Sequence, residues 1–255
     1  MAGALLAVLL LGLKFHIVFI VTICLIAVLA YKELLDVKKD LHVPMPVMLI
    51  GLVSLLFLIV SGTSNASFIV GFDIQKLGLI FLLLLMPCVL LHKKKYNTDS
   101  GFYLFAIVVF LGMVFNQVIV LYLQSIYLFI YPILVGCMTD IFALLGGSLI
   151  GKHKFTKISP NKTIEGCVVG ALFAIIIGTT FHMMFVGGLN IFTAILLSLI
   201  LSIVGQIGDL FFSLIKRENE VKDFSNLIPG HGGIIDRIDG LTFIILAFVF
   251  ILECI

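Results

Sequence analysis

A chain of 255 residues that is 62% hydrophobic and 12% charged, with a mean hydropathy of +1.28, has too little polar side chain to cover a water-soluble fold, and is an integral membrane protein. Its net charge of +2 gives no strongly basic face, which excludes nucleic acid as a partner. The polar interruptions are too short to build a separate soluble core, so the fold class is one all-α polytopic membrane domain.

Apolar windows fall in chain order at 2–13, 15–31, 45–61, 77–91, 101–123, 126–150, 165–187, 189–212 and 241–255, which predicts nine helices. Several are shorter than the ~20 residues that cross a bilayer core, so their helices must extend into polar flanks or span only partly. The run "MAGALLAVLLLGLKFH" lacks the basic start of a signal peptide and reads as a short first span. Residues 1–130 are expected to be N-terminal spans, and 131–255 to carry the chemistry. All Lys and Arg residues except Lys14 and Lys76 lie in four alternate loops: Lys32 to Lys39, Lys93 to Lys95, Lys152 to Lys162, and Lys216 to Arg237. By the positive-inside rule these loops face the cytoplasm, with the N-terminus inside and the C-terminus outside; the expected location is the bacterial cytoplasmic membrane. Cys24, Cys88, Cys137, Cys167 and Cys254 are scattered through apolar segments without metal-ligand spacing and read as small buried hydrophobes. Gly146, Gly147, Gly187 and Gly188 are candidate packing positions between helices. A homodimer stays open.

The chemistry-bearing residues gather in two of the cytoplasmic loops. In the first, Asp140 is an acid inside an apolar run, where a lone carboxylate costs a few kcal/mol or more and marks a polar cavity. It is followed by "SPNKTIEG" at 159–166. Here Ser159 can cap the next helix, with Pro160 suited to a turn or to a helix's first position, and Lys162 and Thr163 can meet an anion at that end. The bland reading is a plain cap with Glu165 nearby.

In the second loop Asp209 follows "ILSIVGQIG" and should still lie in membrane-embedded helix. Gly230, Gly232 and Gly233 around His231 let backbone N–H groups approach an anion, while Lys216, Arg217, Lys222 and Arg237 supply charge-assisted donors. Asp236 and Asp239 are three positions apart. If the last helix starts near Ile234 they share a face, with Cβ atoms about 5 to 6 Å apart. Converging carboxylates repel unless a cation neutralises them, and oxygen-only donors select a hard ion such as Mg²⁺. The alternative is that Asp236 and Asp239 cap the last helix while Asp209 pairs with Lys216 or Arg237.

The run "SLIKRENEVKDFSNLIPGHGGIIDRID" at 213–239 resembles the signature of the phosphatidate cytidylyltransferases, or CDP-diacylglycerol synthases. It has a Lys-Arg pair, Lys-Asp, His-Gly-Gly, Asp-Arg and a final Asp at the family's spacing. "TD" at 139 and "SPNKTIEG" at 159 also match in order, so the similarity covers residues 139–240; "YKELL" at 31 is a faint echo. Ser148 departs from the family, which often has a basic residue there. The resemblance implies that CTP and phosphatidate react to give CDP-diacylglycerol and pyrophosphate with Mg²⁺, and with K⁺ beside it. It makes Asp209 and Asp236 the principal metal carboxylates, with Asp239 and Asp223 close to the site. His231 itself reads as a base, a phosphate contact or a structural hydrogen bonder. Because the nucleophile in phosphoryl chemistry need not have a base, contact is the preferred reading. The implied partners are CTP, phosphatidate and membrane lipids.

Two other readings compete. A CDP-alcohol phosphotransferase would show a denser D-G-x-x-A-R run with further aspartates on the next helix, which this chain lacks. An ion-coupled transporter would use intramembrane acids as an ion path, but here the acids cluster with bases on one side and no repeat halves are visible.

Overall fold

The computed structural model describes residues 15–38, 41, 43–61, 74–85, 87–88, 96–156, 158–160, 162–227 and 232–254. They form eight α-helices: α1 His16–Val37, α2 Met45–Val60, α3 Ile74–Leu85, α4 Thr98–Gln124, α5 Ile126–Ile150, α6 Ile164–Phe181, α7 Ile191–Glu218 and α8 Ile235–Cys254. Five of the described helices, α1, α4, α5, α6 with its π-helical end, and α7, are long and apolar enough to cross a membrane. The expected span at 2–13 lies outside the described residues. The expected windows at 45–61 and 77–91 become α2 and the short α3, while α8 carries Asp236, Arg237 and Asp239 at one end and Glu253 at the other. The helix starts follow side-chain chemistry. Asn97, Ser125, Thr163 and Asn190 each accept a hydrogen bond from a backbone N–H two or three residues on, satisfying a donor that the helix itself leaves open. Thr163 is thus the cap of α6, where the sequence pointed to Ser159.

The chain divides into two compact units, one made of Met1–Leu123 with Asp223–Arg237, the other of Gln124–Lys222 with Ile238–Ile255. In the first, α1 buries Phe19, Ile23, Ala27, Ala30 and Leu34, a stripe at helical spacing. Tyr31 is also buried and donates its hydroxyl proton to the Met48 carbonyl at 3.0 Å. Asn116 of α4 donates to the Leu58 carbonyl at 2.8 Å, and Ser54 of α2 to the Gly78 carbonyl at 2.9 Å. Such inter-helix bonds contribute about 1 kcal/mol each where lipid offers no competing partner.

In the second unit α5 and α6 pack through small residues. A Cβ on Gly166 or Gly170 would stand 2.5 Å from the Ala143 or Thr139 carbonyl oxygen, so only glycine permits this approach. Gly146 belongs to the same seam, facing Val169. Gly187 and Gly188 do not pack at all: they take φ of +71° and +81° with open space around them, and form the turn into α7. Along α7, Ser198, Ser202, Gln206, Asp209 and Ser213 recur every three or four residues and so line one face. Tyr131 and Ser198 share a hydrogen bond of 2.8 Å, Thr139 donates to Ser202 at 2.9 Å, and Gln206 donates to the Cys167 carbonyl at 3.3 Å. This ladder satisfies the polar groups of a helix in apolar surroundings and leads to Asp209. All five cysteines are thiols, but none is fully buried as expected: Cys24, Cys88 and Cys167 are half-buried, and Cys137 and Cys254 are exposed.

Candidate active site

In the second unit Lys162 is delivered by a hairpin-like excursion between α5 and α6. Phe155 N–H donates to the Lys162 carbonyl at 2.8 Å and Ile164 N–H to the His153 carbonyl at 3.0 Å, tying the two arms together. Lys162 N–H donates to the Ser159 carbonyl at 3.1 Å, closing a turn with Pro160 at its second position, where fixed φ favours it. Glu165 braces the base of the excursion, accepting from Lys152 N–H at 3.1 Å and contacting His153 Nδ1 at 2.6 Å. So held, the Lys162 ammonium forms an ion pair with the Asp209 carboxylate of α7, both side chains about a quarter exposed. The pairing differs from the Lys216 or Arg237 alternative read from sequence.

A cavity of about 300 Å³ surrounds this pair, lined also by Asp140, Ser159, Thr163, Cys167 and Gln206. Asp239 of α8 is within electrostatic reach of Asp209, Asp140 and the buried Lys216. Three carboxylates and two ammonium groups therefore share one region of this unit. Beside the cavity runs an apolar groove of about 420 Å³ between α6 and α7, lined by residues that include Val168, Leu172, Ile203 and Leu210. Cys167 and Gln206 line both, so the groove lies directly beside the polar cavity.

In the first unit Asp236 Oδ2 accepts two backbone hydrogen bonds, from Phe224 N–H and Gly233 N–H, each 2.9 Å. Gly232, at φ +77°, brings Asp223 alongside: a Cβ there would lie 3.0 Å from Asp236 Oδ2 and 3.5 Å from the Asp223 side chain.

The profile of the cytidylyltransferase family matches residues 1–255, the whole chain. The chain belongs to that family. It is 35% identical over 224 residues to a phosphatidate cytidylyltransferase of Staphylococcus haemolyticus, covering 87% of this chain and 84% of the relative. It is 33% identical over 239 residues to one of Bacillus subtilis, covering 92% and 88%, and 33% identical over 237 residues to one of Staphylococcus aureus, covering 91% and 89%.

Against that membership, the second unit brings together Asp140, Ser159, Lys162, Thr163 and Asp209 around one cavity, with Asp239 and Lys216 in electrostatic range. Arg217 and Lys222 are exposed at and just beyond the end of α7, and Arg237 is exposed in the first turn of α8. His231 lies outside the described residues. The N–H groups of the glycine segment have taken up acids: Gly233 N–H binds Asp236, and those of Ile234 and Ile235 bind Glu33. Among the described residues no three His, Cys, Asp or Glu side chains converge into a ready-made metal cage. The donor chemistry fits a hard divalent ion of another kind, one held by one or two carboxylates and completed by water and phosphate oxygens.

Sequence reading missed Glu33, Gln206 and Cys167. Glu33 left a signal, since it is an acid among the apolar residues of α1, inside the "YKELL" echo. Gln206 left another in its place on the Ser198–Ser202–Asp209 stripe. Cys167 left none, because its carbonyl and its position on a cavity wall are what matter.

Proposed function

We propose that this chain is a phosphatidate cytidylyltransferase: an oxygen of the phosphatidate phosphate attacks the α-phosphorus of CTP, the bond to the bridging oxygen breaks, and pyrophosphate leaves with CDP-diacylglycerol as the lipid product. The observation that carries the reading is that the charged Lys162–Asp209 cavity lies side by side with the apolar groove between α6 and α7. An anionic head group on apolar tails is the kind of substrate that uses both. Lys162, Lys216, Arg217, Lys222 and Arg237 offset the mutual repulsion of two phosphate-bearing substrates, and Asp209 orients the Lys162 ammonium. Asp140, Ser159, Thr163, His231, Gly232 and Gly233 are the further groups assigned to substrate, with Asp223 and Asp239 beside the metal carboxylates. Asp209 and Asp236 are assigned to Mg²⁺, with K⁺ nearby, which supplies neutralising charge at the transferring phosphate and the departing pyrophosphate.

Purified protein in detergent, given CTP, phosphatidate and Mg²⁺, is expected to form lipid-linked CMP and pyrophosphate in equal amounts, and to stop when the cation is chelated. Formation of neither product above a heat-killed control would sink the reading.

The orientation belongs to the same proposal. The four basic loops face the cytoplasm, within nine spans in the bacterial cytoplasmic membrane, so that soluble CTP reaches the site. In a background without native cysteines, Leu189→Cys is expected to react with an impermeant maleimide in intact cells, and Lys154→Cys only after permeabilisation. Labelling of Lys154→Cys from outside would reverse the topology and remove access of cytosolic CTP.

A further inference from the structure

Glu33 is 4% exposed on α1, in a stretch where Ala30, Tyr31, Leu34 and Leu35 are also buried. A carboxylate in such a place is costly unless hydrogen bonds satisfy it. Its partners all come from the far end of the sequence. Ile234 N–H donates to Oε1 at 2.8 Å, Ile235 N–H to Oε2 at 2.9 Å, and the Ser225 hydroxyl to Oε1 at 2.7 Å. Ile235 is the first residue of α8, so two of these donors are N–H groups that a helix start leaves open at the positive end of its dipole. Glu33 therefore caps α8 from another helix.

The geometry leaves no slack. A Cβ on Gly233 would stand 2.7 Å from both Glu33 oxygens, so glycine there is what lets the loop close onto the acid. Donors adjacent in the chain are shared alternately between two carboxylates. Phe224 N–H and Gly233 N–H go to Asp236, whereas Ser225 Oγ, Ile234 N–H and Ile235 N–H go to Glu33. Residues 224–225 and 233–235 are thus divided between the two acids, and releasing one changes how the other is held. A merely structural acid would stabilise the helices without bearing on Asp236.

We propose that Glu33 is a positioning residue for cytidylyl transfer, fixing the first turn of α8 so that Asp236 presents its charge in the orientation the reaction needs. The inference rests on the function proposed above and on the assignment of Asp236 as a metal carboxylate.

Glu33→Gln keeps the shape but turns an NH₂ group toward a backbone donor, and Gly233→Ala pushes the acid away without altering it. In detergent-solubilised protein, amide hydrogen exchange of peptides covering 224–235 is expected to quicken about tenfold in both variants, the size of one lost charge-assisted hydrogen bond. The Mg²⁺ concentration for half-maximal turnover should rise about tenfold in step, with the kcat of Glu33→Gln largely recovered at saturating Mg²⁺. Faster exchange with an unchanged Mg²⁺ requirement would show that the cap orders the loop without serving the site, and would overturn the proposal. Unchanged exchange with a lower unfolding temperature would overturn it as well, leaving Glu33 a packing residue. Exchange is read without turnover, so an inactive wild type would discredit the proposed function while the cap itself is still judged.

Discussion

Asp236→Asn is expected to abolish most turnover while leaving the protein folded. The Asp236 carboxylate has one observed role and one proposed role, and the two are separable. Its Oδ2 accepts from Phe224 N–H and Gly233 N–H, and in the function proposed above its charge holds Mg²⁺. An asparagine carbonyl oxygen accepts the same two hydrogen bonds, so the loop and the start of α8 should survive. The charge does not survive, and a neutral amide is a far poorer ligand for a hard cation. Loss of charge stabilisation on the order of 3 kcal/mol predicts a fall in kcat of about a hundredfold or more. Asp236→Ala should differ, because it strips the loop of its acceptor and adds a loss of stability; the pair of variants separates support from chemistry. Near-normal turnover with unchanged Mg²⁺ dependence in Asp236→Asn would remove this residue from the metal site. Asp239→Asn should be milder, since Asp239 is assigned a place beside the metal carboxylates and not among them, and an asparagine oxygen keeps the 2.9 Å bond from Gly240 N–H.

What the sequence discloses about this architecture follows the physics of each feature. Helices are legible because a bilayer demands long apolar runs, and α4, α5 and α7 start within three residues of the expected windows. Ends are less legible, because polar residues do not stop a helix. α7 continues through Asp209, Lys216 and Arg217 to Glu218, and α8 begins at Ile235, six residues before its apolar run. The acids and bases of the candidate site were readable as charges in the wrong solvent, and Asp140, Lys162 and Asp209 do line one cavity. Partner choice was not readable. Asp209 has basic residues nearby in sequence at Lys216 and Arg217, yet its ion pair is with Lys162, which a backbone excursion braced by Glu165 brings to it. Glu33 lies some two hundred positions from the loop that it caps, and no local pattern encodes that distance.

The Lys162–Asp209 pair makes the second large prediction, because it ties a proposed substrate contact to a structural cost. Lys162→Ala should reduce turnover about a hundredfold, as expected when one preorganised positive group is taken from a site that stabilises developing phosphate charge. It should also leave Asp209 without its counter-ion, within electrostatic reach of Asp140 and Asp239. With both partners about a quarter exposed, the stability loss should fall near 1 to 2 kcal/mol, between the values for surface and buried pairs. Neutralising the orphaned acid should reverse that part alone. The double variant Lys162→Ala/Asp209→Asn is therefore expected to regain the wild-type unfolding temperature and none of the activity. Arg217→Ala, at an exposed position near the end of α7, should lower turnover with no stability change to compensate. If the double variant recovered turnover together with stability, Lys162 would be acting only as the counter-ion of Asp209, the assignment of Asp209 to Mg²⁺ would fall with it, and substrate phosphate would have to be met by other groups.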